Sequence, residues 1–258
     1  MKKYVIGDIH GGYRALKDLL ETIQFNYEDD QLISLGDVCD GWSETPEAID
    51  LLMSIKNLIY IKGNHDEWSQ EYLGQPIRFH DDYQRSWLHH GGRATVEAYE
   101  RVGSVKMKEH IQFLKNAQLY HIDSQNNLFV HAGFTESFIP GTQEIDTVHK
   151  HILQELYWDR TFWNKAYNGK HPGKMFNKVF IGHTPTLNYP NSNQEHFVPM
   201  TRGNVINMDT GAAFTGKLSI MNIDTGEVFQ SEKRVMEYYP YEFGRNQTAF
   251  GRYKKTEE

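Results

Sequence analysis

Five short apolar runs in this chain each lead directly to residue types that bind metal ions. Residues 3–6 run into Gly7-Asp8-Ile9-His10-Gly11, and residues 32–35 into Gly36-Asp37-Val38-Cys39-Asp40-Gly41. Residues 58–61 end near Gly63-Asn64-His65-Asp66, residues 128–130 at His131, and residues 179–181 at Gly182-His183. Runs of this length bounded by glycine read as strands. Between the first three, apolar residues recur at helical spacing: Tyr13, Leu16, Leu19, Leu20 and Ile23, then Ala48, Leu51, Leu52 and Ile55 behind Thr45-Pro46. The first third is therefore β-α-β-α-β, which predicts an α/β fold with a largely parallel sheet and right-handed crossovers. In such sheets ligands bind beyond the carboxyl ends of the strands, where these polar residues stand.

Further along, residues 65–117 read as a helical insertion, clearest over 87–99 and 107–114. Strand signals return at 119–122, 128–130, 179–181, 205–208, 218–223 and 228–229, with Asp224-Thr225-Gly226 as a hairpin turn. Residues 188–203 read as a loop, and the tail 238–258 shows no periodicity. With no repeat and no Pro/Gly/Ser linker, residues 1–258 read as a single domain. A hydrophobic share of 39% permits a core. Net charge is −7 without a basic stripe, which argues against a nucleic-acid backbone site. Bound cations would still let an acidic chain take phosphates. The one cysteine, Cys39, precludes an intrachain disulfide and fits a reducing compartment. The first residues are too short for a signal-peptide core, and no segment approaches the ~20 apolar residues of a membrane span. A cytoplasmic protein with no membrane partner is expected.

Carboxylate, imidazole and one amide oxygen form a mixed ligand set suited to Mn, Fe or Zn. Two ions roughly 3.5–4 Å apart need a bridging carboxylate, and a bridging hydroxide can then attack phosphorus in line. Each motif alone is weak, because an Asp-x-His or Gly-Asn-His triplet also serves as an ordinary turn. Their ordered combination is strong.

That combination resembles the calcineurin-like metallophosphoesterases, and within them the bacterial and phage serine/threonine protein phosphatases and the symmetrical diadenosine tetraphosphatases. The matching motifs run from Gly7 to about Gln230 and include 129–133, 181–185, Gly91-Gly92-Arg93-Ala94-Thr95 with Tyr99, and 209–212 with 216–218. The resemblance implies a four-layer α/β/β/α sandwich with two mixed sheets. It implies that Asp8, His10 and Asp37 hold one metal, that Asp37 bridges, and that Asn64, His131 and His183 complete the second. Manganese is the ion expected, with Fe, Zn, Co or Ni as alternatives. His65 would protonate the leaving oxygen and Asp40 would orient it. The family's arginine after this aspartate is missing, because Asp40 is followed by Gly41 and Trp42. Arg160 resembles the other phosphate-binding arginine and is expected to be the main phosphate clamp, with Arg93 as a substitute and Asn64 as a further phosphate contact. An arginine restored at Gly41 is expected to share that work.

The remaining polar and aromatic residues have plainer readings. Cys39 and Trp42 read as packing, with substrate stacking the alternative for Trp42, and 238–241 as packing too. His90 reads as a surface residue or a substrate contact. His149, His151, His171 and His196 read as solvent-facing, and Asp66 and Glu67 as helix-starting acids. The expected substrates are phosphomonoesters, first phosphoserine or phosphothreonine in protein or peptide. The alternative is a dinucleoside polyphosphate, and a remote third is a non-catalytic binding scaffold, which predicts eroded ligands.

Overall fold

The computed structural model describes residues 1–78, 80–189 and 197–246. Three parallel strands open the chain: β1 (Lys3–Ile6), β2 (Gln31–Ser34) and β3 (Asn57–Tyr60), connected through helices α1 (Tyr13–Thr22) and α2 (Thr45–Met53). The insertion follows as α3 (Asn64–Tyr72), α4 (Asp82–Trp87), α5 (Arg93–Val102) and α6 (Ser104–Lys115). Next come β4 (Tyr120–Ile122) and β5 (Leu128–Val130), then α7 (Lys150–Leu153), α8 (Glu155–Trp158) and α9 (Thr161–Tyr167). The chain continues with β6 (Val179–Ile181), β7 (Met200–Arg202), β8 (Val205–Asn207), β9 (Ser219–Asn222), β10 (Val228–Gln230) and α10 (Val235–Tyr238).

Two five-stranded mixed sheets result, in the orders β10-β9-β1-β2-β3 and β4-β5-β6-β8-β7. Side chains alternate across each strand, and this alternation builds the layers. Tyr4, Ile6 and Leu32 pack beneath α1 and α2, whereas Val5, Ile33 and Leu35 face the other way. In the second sheet Leu128, Val130, Val179 and Ile181 pack against α8 and α9, while Phe129 and Phe180 turn inward. The inward sets meet as one apolar layer between the sheets, completed by Ile61, Ile206, Met208, Met221 and Ile223. The fold is the four-layer α/β/β/α sandwich expected.

Two expectations need correction. The segment 188–203 is not all loop, since Met200–Arg202 pairs antiparallel with β8 in the register Thr201↔Ile206. Its polar sequence suits an edge strand, where one face meets solvent. Residues 87–99 are not one continuous helix. A π-helical turn spans Leu88–Gly92, and Gly91 takes φ +112°, which breaks the helical path. His196 and the tail beyond Asn246 lie outside the described residues. Among the described residues, no helix is long and apolar enough to cross a membrane.

At the centre of the inter-sheet layer Phe129 and Phe180 stack with centroids 4.9 Å apart and planes within 3°. Both are fully buried. Phe180→Ala is expected to cost about 3–5 kcal/mol of unfolding free energy, read as a lower urea midpoint at unchanged slope. A loss below about 1 kcal/mol, the range of a surface change, would mean that this pair of neighbouring rings on β5 and β6 contributes little to the layer between the sheets.

Candidate active site

The strand ends converge on one buried cluster. Asp8 and His10 follow β1, Asp37 and Asp40 follow β2, Asn64 and His65 open α3, His131 follows β5 and His183 follows β6. All eight are buried. Asp8, His10 and Asp37 form one group of candidate ligand atoms lying within 4.8 Å of one another, and Asp37, His131 and His183 form a second. Asp37 is common to both. The Asn64 Oδ1 sits 3.2 Å from His131 Nε2 and 2.8 Å from His183 Nδ1, so all six expected ligands meet.

Backbone geometry aims these side chains. His10, Asp37, Asp40 and His183 all take left-handed φ, at 52°, 53°, 69° and 68°. Non-glycine residues hold that conformation only where surrounding structure enforces it, and such strain concentrates at functional sites. Carbonyl acceptors fix two of the imidazoles. His10 Nδ1 lies 2.9 Å from the Cys39 carbonyl and 2.8 Å from that of Asp40, and His131 Nδ1 lies 2.7 Å from that of Leu35. A carbonyl can only accept, so each Nδ1 carries a hydrogen and each Nε2 is the ring atom turned to the cluster, available to an ion once that nitrogen is deprotonated. The His183 Nε2 is buried without a hydrogen-bond partner among the described residues.

The sequence reading of Asp66 as a helix-starting acid is incomplete. Its carboxylate does accept the Gly63 N–H at 2.9 Å, capping α3. It also accepts the Asp37 N–H at 2.8 Å, the Val38 N–H at 3.0 Å and the Tyr60 hydroxyl at 2.8 Å. Asp66 thus ties the turn after β2 to the turn after β3. Gly63 allows the approach, because a Cβ there would lie 2.0 Å from Asp37 Oδ1. Glu67 likewise does more than start a helix, accepting from Tyr157 Oη at 2.9 Å and Trp158 Nε1 at 3.3 Å.

His65 and Asp40 form a second buried unit beside the cluster. His65 Nδ1 lies 2.8 Å from Asp40 Oδ2. The insertion saturates the same carboxylate: Trp87 Nε1 donates at 2.9 Å, Thr95 Oγ1 at 2.7 Å and Ser69 Oγ at 3.2 Å. Burial pushes the Asp40 carboxyl up to about 7. Burial, and then the nearby Arg245 charge, hold the His65 imidazole well below its ordinary value.

The cluster's electrostatics call for cations. Burial and then Asp209 push Asp8 well above the usual carboxylate range. Burial also raises Asp209 to about 6. Asp37 goes the other way, because His131 and His65 outweigh its burial. Buried carboxylates that repel one another, beside imidazole lone pairs and an orphaned ring nitrogen, fit a pair of divalent ions with N/O coordination.

The other candidates separate clearly. Arg160 is exposed at the start of α9, where its charge acts on His183 and His90. Arg93 is exposed at the start of α5 and makes no hydrogen bond or ion pair among the described residues. Trp42 is fully buried, donates to the Ala212 carbonyl at 2.8 Å and stacks on Tyr239 at 5.2 Å; it packs and cannot meet a substrate ring. Cys39 is buried and burial pushes its thiol well up, so it is inert. His90 is exposed and stacked on Trp68, and His149, His151 and His171 are exposed. Sequence reasoning missed Trp87, Ser69, Asp209 and Arg245 near the site. Of these only Asp209 stood in a quoted motif.

A sandwich with buried Asp, His and Asn donors at its strand ends defines a metal-binding hydrolase architecture. The chain belongs to the calcineurin-like phosphoesterases, whose sequence profile matches residues 1–206. It is similar to bis(5'-nucleosyl)-tetraphosphatase PrpE, designated asymmetrical, of Bacillus mycoides (strain KBAB4), at 29% identity over 85% of this chain and 89% of that protein. The protein of the same name from Bacillus cereus (strain ATCC 10987 / NRS 248) is 28% identical over the same shares. Among solved structures, a metallophosphoesterase from Sphaerobacter thermophilus superposes with TM-score 0.56 at 18% identity, covering 93% of this chain and 95% of that one. A protein serine/threonine phosphatase from Saccharomyces cerevisiae gives 0.51 at 14%, covering 90% and 80%.

Removing the Asp66 carboxylate would take an acceptor from four buried N–H groups, those of Asp37, Val38, Cys39 and Gly63, and from the Tyr60 hydroxyl. Asp66→Ala is expected to destabilise the fold by about 3 kcal/mol or more, measured by urea unfolding. A loss below about 1 kcal/mol would mean that water or a neighbour replaces the carboxylate and that the two turns do not depend on it.

Proposed function

We propose that the protein hydrolyses bis(5'-nucleosyl) tetraphosphates asymmetrically, giving a nucleoside monophosphate and a nucleoside triphosphate. The observation that carries this reading is the groove that opens beside His65. It has a volume of about 610 Å³ and is lined by Trp68, Tyr72, Tyr83 and Trp158, with the acids Glu67, Glu71, Glu155 and Asp159 outnumbering Lys150 and His151, so it suits the base and not the phosphates. Trp68 meets His65 edge to face at 5.1 Å and Trp158 at 4.7 Å, so aromatic surface begins where the proposed proton donor stands. Aromatic faces suit a nucleobase, which stacks irrespective of its identity. The named relatives support the same substrate class.

In this reading Asp8, His10 and Asp37 hold one divalent ion, and Asp37, Asn64, His131 and His183 the other. Manganese is the ion proposed. When bound, the ions supply an activated water and neutralise charge on the phosphoryl oxygens. Asp40 holds the Nδ1 hydrogen of His65 and leaves Nε2 to serve the leaving oxygen. The polyphosphate charge, once in the site, favours the doubly protonated ring that donates from Nε2. Arg160 meets the phosphates from the mouth of the site. Phosphoserine or phosphothreonine, the first expectation from sequence, rests on fold likeness alone.

With manganese, the chain is expected to release AMP and ATP from diadenosine tetraphosphate, with kcat/KM at least about tenfold above that for a phosphoserine peptide. The reverse ranking would favour the phosphoprotein reading, and ADP as the sole product would refute asymmetry. His65→Ala is expected to lower kcat by about 10²–10⁴, and less for nitrophenyl phosphate, whose leaving group needs little protonation. An equal loss for both would count against His65 as the acid.

A further inference from the structure

The segment after α10 enters the active site. Glu242 is held by the loop after Gly41, accepting from the Ser43 N–H at 3.0 Å and the Ser43 hydroxyl at 2.6 Å. Two residues later the chain passes so close to Trp42 that a Cβ on Gly244 would lie 2.6 Å from the indole. The Arg245 N–H then donates to the Ala213 carbonyl at 2.8 Å. These contacts fix the backbone from which the Arg245 side chain departs.

That side chain runs between two glycine turns. Its Cγ would lie 3.6 Å from a Cβ at Gly41 and 3.3 Å from one at Gly91. Both glycines have positive φ, 124° and 112°. The guanidinium carbon stands 5.0 Å from the centre of the Phe214 ring. Its charge acts on Asp37, Asp40, Asp209 and Asp8, and on His10, His65 and His90. Yet it makes no ion pair among the described residues, and its Nε is buried without a hydrogen-bond partner. A guanidinium offers five donors in a planar fork, and a buried donor left unmade is destabilising. An arginine kept merely to balance the carboxylates would be expected to pair with one of them.

We propose that Arg245 grips the substrate phosphate in the place left by the arginine missing after Asp40. The guanidinium lies over the Phe214 ring and has no carboxylate partner among the described residues, which suits a phosphoryl group that accepts two parallel hydrogen bonds. The position is consistent, because the Arg245 stem passes within van der Waals reach of residue 41 itself. Gly41 and Gly91 leave the room that the stem occupies. Arg245 lies beyond residues 1–206, which the family profile matches, so the substitute comes from outside the shared motifs. The expectation that an arginine at Gly41 would restore a clamp is revised accordingly: φ +124° disfavours any side chain there, and the space is taken. Arg245 and Arg160 then hold the phosphates from two sides.

This inference rests on the site being a phosphoesterase site, and the test separates the two. Arg245→Ala and Arg245→Lys, both manganese-loaded, are compared with the unaltered chain for nitrophenyl phosphate turnover, for binding of inorganic phosphate by calorimetry, and for metal stoichiometry. Arg245→Ala is expected to lower kcat/KM about 10²-fold and to weaken phosphate binding about tenfold or more, with metal content unchanged. Arg245→Lys keeps the stem and a point charge but not the fork, so it should recover part of the binding and less of the rate. Should the alanine variant fail to fold, the lysine variant carries the test, and a rate and phosphate affinity equal to the unaltered chain overturn the proposal. Unchanged phosphate affinity in a folded alanine variant overturns it as well. Arg245-dependent phosphate binding in a chain that hydrolyses no phosphoester would support the clamp and contradict the activity.

Discussion

The site depends on one carboxylate that is not itself a candidate metal ligand. Asp66 sits at the start of α3 with both oxygens occupied by the backbone of Asp37, Val38 and Gly63 and by Tyr60. Through it the ends of two neighbouring parallel strands become one rigid unit. Asp37 can then hold a left-handed conformation that its own side chain disfavours. From that conformation its carboxylate faces both His10 and His131, at 3.6 Å and 3.4 Å. Burial and the charge of Asp37 push the Asp66 carboxyl up to about 6, and the donors around it oppose that rise.

The helical insertion follows from a second constraint, the satisfaction of Asp40. A buried carboxylate needs donors for nearly all its lone pairs. Ser69, Trp87 and Thr95 supply three from the insertion and His65 the fourth. The break at Gly91 therefore has a physical purpose. It turns the chain between Trp87 and Thr95 so that both reach the same aspartate, and it lets the Gly41 N–H meet the Gly91 carbonyl at 3.3 Å. The aromatic groove is built on the same helices, with Glu67 binding Trp158 from α3.

Much of this is legible in sequence, for identifiable reasons. The apolar runs 128–130 and 179–181 mark buried strands, but which of their faces turns inward appears only in the structure, because every residue in them is apolar. Strand ends marked by glycine and then Asp, His or Asn locate the cluster, because the ends of parallel strands lie side by side. What was not legible depends on contacts distant in sequence. The strand at Met200–Arg202 exists because β8 offers it an edge, not because its residues favour one. Trp87 reaches the site from the end of a helix and Arg245 from a segment without periodicity, and no local pattern distinguishes them from other aromatic or basic residues. Trp42 was legible as packing, and its partner Tyr239 fixes the path by which Arg245 arrives.

Asp37 stands in both groups of candidate ligands, and the proposed function needs it to be shared by two cation sites. Equilibrium dialysis against manganese, comparing the unaltered chain with Asp37→Asn, tests it most directly. The account predicts two ions bound per chain before the substitution and loss of both after it, in a protein whose circular dichroism is unchanged. One ion retained at unaltered affinity in the asparagine variant would contradict the shared carboxylate and leave two independent sites.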